Sequence, residues 1–521
     1  MKRLLIAVLL CAAGLVQAQT FRWASQGDLQ TLDPHSQNES MTNMLNAHVY
    51  EFLVGRDRDL KLVPELAQSW TQLSPLLWRF KLRPGVSFHD GSPFTADDVV
   101  FSFERAKAPS SQLSVYAFAT GTARKIDPLT VEFQLPVFDP IFLQHVSTIN
   151  IMSKRWCEEH HVSKPLDFTR GEESFATFNA NGTGPLMLVS RQPAIKTVYK
   201  RNPHWWGRYS GNVQDVVFTP IANDATRLAA LVSGEIDLVI DPAPRDLAQL
   251  RRTEGVKVLE GPENRIIFVG LDQVRDKLLY ARVPGDRNPF KDLRVRRALY
   301  QAIDIEALKA KLMNGQSAPT GGLTPASVGA YDDPQIEARL PYDLAAARKL
   351  MADAGYAEGF EFTLDCPNNR YINDEKICLA LAAMWAQLKV KVRVNAMPRV
   401  SYFPKVDKQD TSAWLYGWGG GITDAEVIMA PVLRNRGDKG VGYYNYGWKD
   451  DRFDALAAQS GLETDPARRE ALVKTALLEF KQQIHLIPLH RQMIPWAMRS
   501  NVTAVHRADN WVRVEWVTVG R

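Results

Sequence analysis

At 521 residues the chain is longer than one hydrophobic core can organise, so about two or three domains are expected. Apolar residues make up 45% and charged residues 23%, the balance of an ordinary soluble globular protein. The formal charge is +5, and no Lys- or Arg-rich run accompanies it, which sets nucleic acid aside as a partner.

Residues 1–18 read as a secretory signal peptide. Lys2 and Arg3 form the basic start, 4–15 the apolar stretch, and Val16-Gln17-Ala18 a small-residue cleavage site, with cleavage expected after Ala18. The apolar stretch is well short of the ~20 residues that a spanning helix needs. Cys11 follows Leu10 rather than a small residue, which argues against lipidation. Removing the leader leaves a charge of about +3 by residue counting. No second long apolar run follows, so an exported, soluble mature protein is expected.

Residues 21–24 give a first strand, and a polar stretch from Ser36 to Asn43 leads into a helix expected to run through Tyr50. Gln37, Asn38, Glu39 and Ser40 lie where that helix starts, with Asn38 and Ser40 as candidate caps. Trp78, Phe80 and Leu82 alternate with Arg79, Lys81 and Arg83, the period of a half-buried strand. Pro84-Gly85 is then expected to turn the chain into a second strand over 86–88, making a β-hairpin closed by Asp90-Gly91. Thr95 opens a helix as N-cap. Asp97 and Asp98 sit in its favourable first turn, and Val99, Val100 and Phe103 form its apolar face.

A strand is expected over 129–135, with a helix opening at Asp139-Pro140. The glycines of 179–188, NANGTGPLML, suit close packing. No Lys-Ser/Thr follows them, so a nucleotide loop is not indicated. Residues 229–240 read as helix, turn and strand. In 293–302, Val295, Leu299 and Ala302 share an apolar face, leaving Arg294, Arg296 and Arg297 to solvent. A helix over 343–356 ended by Gly355, a strand over 360–364, a helix over 374–388 and a strand over 390–394 alternate as a second α/β lobe. In 414–426, WLYGWGGGITDAE, aromatics alternate into a glycine run, a strand ending where backbone approaches something closely.

After cleavage three cysteines remain, Cys157, Cys366 and Cys378, permitting one disulfide and one free thiol. Cys366 and Cys378 are the better candidates, although spacing alone does not decide the pairing. No Cys/His spacing suits zinc, and the lone histidines carry no nickel-chelate argument of their own. There is no GxSxG, HExxH, P-loop or EF-hand pattern, so no catalytic residue, metal ligand or cofactor is assigned.

Residues 80–102, FKLRPGVSFHDGSPFTADDVVFS, closely resemble the signature of the family 5 (dipeptide/oligopeptide/nickel-type) solute-binding proteins of bacterial ABC importers. Further blocks agree. They are Leu32-Asp33-Pro34, the P-x-L-A-x-S-W run of 64–70, Gly182-Thr183-Gly184-Pro185, and the N-P-x-Y-W-like run of 202–206, with Trp205 in the Tyr place. Others are the strand around 268–271, the PF-x-D-x-RVR block of 289–296, Ala302-Ile303-Asp304, and Ile487-Pro488-Leu489. The resemblance implies an α/β, two-lobed periplasmic-binding-protein fold of type II with the extra subdomain of the peptide-binding cluster. The expected boundaries are 19–50, 185–271 and 489–521 for lobe I, 51–184 for the extra subdomain, and 272–488 for lobe II.

The implied role is periplasmic capture of a small polar ligand between the lobes, and its delivery to an inner-membrane ABC permease, with the protein acting as a monomer. The ligand is expected to be a peptide or peptide-like and anionic. Nickel-chelate, opine or glutathione-type ligands are alternatives, and a secreted hydrolase or a sensory or chaperone-like receptor is the competing class. By resemblance the ligand borders Gln37, Asn38, Glu39 and Ser40, and Arg370 faces a ligand carboxylate, a task suited to a guanidinium. Tyr402, Trp414 and Trp418 are candidate apolar walls. Gly417, Trp418 and Gly420 match a G-W-x-G-D motif whose Asp pairs with a peptide ammonium, but Gly421 stands in the Asp position. Asp424 reads first as the cap of the following helix, and second as a displaced carboxylate, with Glu426 beside it.

Overall fold

The computed structural model describes residues 19–325 and 333–520, so the leader expected over 1–18 lies outside the described residues. Among them, no helix is long and apolar enough to cross a membrane. One sheet unites most of the chain. From one edge its order is Lys391–Met397, Glu361–Pro367, Ala413–Gly419, Val256–Leu271, Leu486–Arg499, Leu238–Val239, Gln19–Ser25, Val213–Pro220, Lys196–Arg201 and Leu186–Gln192. The two central strands, 16 and 14 residues long, are shared by both lobes. They pair antiparallel, and their register shifts between Pro262 and Ile266.

Each lobe is built on α/β logic. Parallel pairing of Gln19–Ser25 with Val213–Pro220 and Leu238–Val239 is covered by helix Asp224–Ser233. Parallel pairing of Glu361–Pro367 with Lys391–Met397 is crossed by helix Asp374–Ala386. This is the two-lobed α/β architecture that the alternation in the sequence implies.

Between the first strand and Leu186 the chain builds a separate four-stranded antiparallel sheet, ordered Ala67–Ser74, Leu77–Leu82, Thr130–Gln134 and Thr122–Asp127. The period-two reading of 77–82 holds at its inner end, where Phe80 and Leu82 are buried and Lys81 is exposed. Phe80, Phe103, Phe133 and Phe142 meet edge to face in its core. The hairpin expected over 77–88 does not form. Strand Leu77–Leu82 pairs instead with Ala67–Ser74 and Thr130–Gln134. Val86 and Phe88 are buried in the core, and Ser87 makes only an isolated bridge to Pro93. A longer-range partner with an apolar face outcompetes the local one. Thr95 caps helix Ala96–Ala106 as expected, and Asp98 does more than answer the helix dipole, since its carboxylate accepts from the Thr95 amide at 2.9 Å to complete a capping box.

One further reading changes. Arg296 is buried rather than solvated, because its guanidinium donates to the carbonyls of Phe290 (2.7 Å), Lys291 (3.0 Å) and Gln483 (2.7 Å). Cys366 and Cys378 are joined as a disulfide, and Cys157 is free and buried. The glycines of Gly182-Thr183-Gly184 pack as expected. A Cβ at Gly182 would lie 2.0 Å from the Val49 carbonyl oxygen.

Candidate functional site

The site is organised by one carboxylate. Helix Ser40–Asn46 is capped by Glu39, not by Asn38 or Ser40, and it ends before Tyr50. The Glu39 side chain accepts from the amides of Met41 (3.2 Å) and Thr42 (3.0 Å). Its two oxygens also face two guanidiniums of the opposite lobe, Arg370 Nε at 2.6 Å and Arg399 Nη1 at 3.2 Å. Burial pushes the Glu39 carboxyl up, but Arg370, Arg399 and the two amides outweigh it and bring its pKa down to about 2.

Both arginines are held by their own loops. Arg370 follows strand Glu361–Pro367, and the amides of Arg370 and Tyr371 donate to Asp374 at 2.8 and 2.9 Å. The Arg399 amide donates to Asn369 Oδ1 at 2.8 Å. Its guanidinium lies so close to Gly27 that a Cβ there would fall 1.4 Å from Nη2, so a side chain at 27 would push the guanidinium aside. More bonds join the lobes. Gln112 donates to Asp407 at 3.0 Å, and the Thr423 amide donates to Gln144 at 2.9 Å.

Between the lobes lies a cavity of about 1060 Å³, its mouth included. Of the candidate residues, Asn38, Glu39, Ser40, Arg370, Gly417, Trp418, Gly420 and Gly421 line it. Gly420 has φ 150°, which side-chain-bearing residues rarely adopt. Gln37, Tyr402, Trp414 and Asp424 are not in the wall. Gln37 is buried in the lobe that carries Glu39. Tyr402 donates its hydroxyl to the Leu415 carbonyl at 2.5 Å, and Trp414 packs against Tyr446 and Gly270. Asp424 accepts from the Glu426 amide at 2.9 Å, as a cap does, and is also bound by both terminal nitrogens of Arg469 at 2.8 Å. Strand alternation puts Trp414, Tyr416 and Trp418 on one face and Leu415 on the other. Of that face, Tyr416 and Trp418 reach the cavity, while Trp414, further back along the strand, packs in the core.

Sequence reasoning missed most of the cavity's charge. Besides Arg370 the wall carries Arg56, Arg265, Arg507 and Arg513, against only two carboxylates, Glu39 and Asp509. A signal existed for two of them. Arg507 and Asp509, and Arg513 and Glu515, repeat an Arg-x-acid spacing and form ion pairs, the second at 2.5 Å. Arg56 and Arg265 stand in unremarkable strand sequence.

Behind this wall Glu51 and Glu65 are buried near Arg513. Glu51 accepts from Trp205 and Trp206 (both 2.9 Å) and from Thr183 (2.7 Å), giving the two tryptophans of the 202–206 block a partner. Burial pushes Glu51 up to about 7 despite those bonds. Burial, and then repulsion from Glu51, pushes Glu65 up to about 8. A carboxyl raised in the folded state stabilises fully below its ordinary value and loses that contribution as pH rises through the raised one. Glu65→Gln should therefore gain about 1–3 kcal/mol on the wild type between pH 5 and pH 8, read by urea unfolding at the two pH values. An unchanged difference would mean that Glu65 is not held protonated.

Comparison with known proteins agrees with this architecture. The chain is 26% identical over 510 residues to the glutathione-binding protein GsiB of Shigella flexneri, covering 96% of this chain and 94% of that one. It superposes on the periplasmic binding protein DppA from Helicobacter pylori, solved with the peptide STSA, with a TM-score of 0.84 at 21% identity, covering 97% and 98% of the two chains. The binding protein AgaA from A. tumefaciens, solved with agropinic acid, superposes with a TM-score of 0.83 at 20% identity, covering 96% and 99%. Residues 61–440 match the model of bacterial extracellular solute-binding proteins, family 5 Middle. With its shared central strands, its cavity between lobes and a match over most of its length, the chain belongs to the family 5 bacterial extracellular solute-binding proteins.

Proposed function

We propose that this protein captures a small, peptide-like ligand of net negative charge between its lobes and hands it unaltered to the permease of an ABC importer. It works as a periplasmic monomer once residues 1–18 are removed. The observation that carries the reading is the cavity wall, with five arginines against two carboxylates. Both carboxylates are already engaged, Glu39 by Arg370 and Arg399, and Asp509 by Arg507. An ammonium group entering this cavity finds no uncommitted counter-charge in its wall, whereas an anion finds Arg56, which only neutral groups hydrogen-bond. Relatives named for, or solved with, glutathione and agropinic acid are consistent with an acidic cargo. Closure follows from a ligand that touches both lobes and so favours the closed arrangement by differential affinity.

Native mass spectrometry of protein purified without refolding, followed by calorimetry with glutathione, agropinic acid, a neutral dipeptide and its cationic amide, tests the reading. The acidic compounds should bind at least about tenfold tighter than the cationic one, and added salt should narrow the gap. Preference for the cationic amide, or conversion of a co-purified ligand, would overturn it.

A further inference from the structure

Within the wall, Arg56 differs from the other arginines. Arg265 pairs with Glu263 at 2.8 Å, Arg370 with Glu39 at 2.6 Å, Arg507 with Asp509, and Arg513 with Glu515 at 2.5 Å. Arg56 ends strand Val54–Arg56, and its guanidinium is met by neutral acceptors. These are the Leu60 carbonyl at 3.0 Å, Ser147 Oγ at 2.9 Å and Gln144 Oε1 at 3.4 Å. Burial draws its pKa down to about 10, with Asp509 opposing that shift and Arg507 adding to it, so it stays charged at neutral pH. Asp509 is itself bound by Arg507, with Nε to Oδ1 at 3.0 Å. This partly buried guanidinium has no carboxylate of its own, so an anion reaching it would supply the missing counter-charge.

Opposite it stands Gly421, where a Cβ would lie 3.0 Å from Arg56 Nε and 3.1 Å from its Cδ. The glycine lets the Arg56 side chain lie close against the backbone at the cavity wall. Around it the wall supplies hydroxyls from Ser147 and Thr148 and apolar faces from Phe52, Trp418 and Ile422.

We infer that the Arg56–Gly421 corner is an anion subsite, taking a carboxylate of the ligand and excluding ligands that carry an ammonium at that end. The inference rests on the anionic-ligand reading above and sharpens it. The cargo is a molecule with an apolar body whose carboxylate completes the only cavity arginine that neutral groups alone hydrogen-bond among the described residues. A carboxylate placed on residue 421 would occupy the same corner and neutralise Arg56 from within the protein.

Calorimetry on the intact mature protein at low salt, with N-acetyl-Leu-Leu and its neutral C-terminal amide as probes, tests this. Wild type should prefer the acid by at least about tenfold, the scale of a charge-assisted bond in a partly desolvated site. Arg56→Gln and Gly421→Asp should each abolish that preference, and Arg56→Lys should keep part of it. The two losses reach the same corner from opposite sides, so if one variant does not fold, the other decides. If wild type prefers the acid and both folded variants keep the preference, the subsite is wrong while the anionic reading stands. Equal binding of acid and amide by wild type, or binding of neither, overturns both.

Discussion

Glu39→Ala should destabilise the protein by about 3–5 kcal/mol at neutral pH, the cost expected when one partner of a buried ion pair is removed. Glu39 is buried and is the carboxylate facing both Arg370 and Arg399, so its loss strands two buried guanidiniums of the opposite lobe. Alanine also removes the cap of helix Ser40–Asn46, worth about 1 kcal/mol more. Glu39→Gln keeps a cap acceptor and loses only the charge, which separates the two terms. The sign with pH follows from the lowered pKa. The charged form is favoured in the folded state, so the contribution is present above about pH 4.5 and fades as pH falls toward 2. Urea unfolding between pH 7 and pH 3 should show wild type losing its advantage over Glu39→Gln on acidification. A constant gap would remove Glu39 from the role assigned to it. Small-angle scattering should also show Glu39→Gln more open, since the bridge it loses spans the lobes.

The second large effect lies away from the cavity. Arg105 of helix Ala96–Ala106 forks onto Asp33 with bonds of 2.8 and 2.7 Å, and both side chains are fully buried. The same guanidinium donates to the carbonyls of Val162 and Lys164, both at 3.1 Å. It thus ties the Leu32-Asp33-Pro34 turn to the four-stranded unit. Burial pushes the Asp33 carboxyl up, but Arg105 and neighbouring donors hold it below the usual carboxylate range. Arg105→Ala leaves Asp33 unpaired and should cost about 3–5 kcal/mol in chemical denaturation. The double variant Arg105→Met, Asp33→Leu should recover much of that loss, because it leaves no buried charge behind. If it proves no better than the single variant, the pair owes its value to the hydrogen bonds with 162 and 164 instead.

These two pairs show what the sequence made legible. Local chemistry was readable: the capping of 95–98, the alternation of 78–82, the glycines of 182–184 and the βα alternation of the second lobe each depend on neighbours a few residues apart. The hairpin over 77–88 was misread because its local turn signal is sound, yet strand Thr130–Gln134 offers more apolar surface from some 50 residues away. Arg296 was misread because the helical period places it beside the apolar face, and only the carbonyls of 290, 291 and 483 show what it binds. At the site, Asn38, Glu39, Arg370 and Trp418 were nameable by resemblance. The pairing of Glu39 with two arginines more than 300 positions away was not, and neither was the corner at Arg56 and Gly421. Gly421 was legible only as a missing acid. What fills the corner instead is a matter of tertiary folding.

The register shift between Pro262 and Ile266 reaches the cavity. Arg265 leaves that shift, pairs with Glu263 and lies 5.9 Å from the centre of the Tyr371 ring while forming part of the cavity wall. The irregular stretch of the shared strands and the cavity lining are therefore one piece of backbone, and a change of register there would also move Arg265 in the wall.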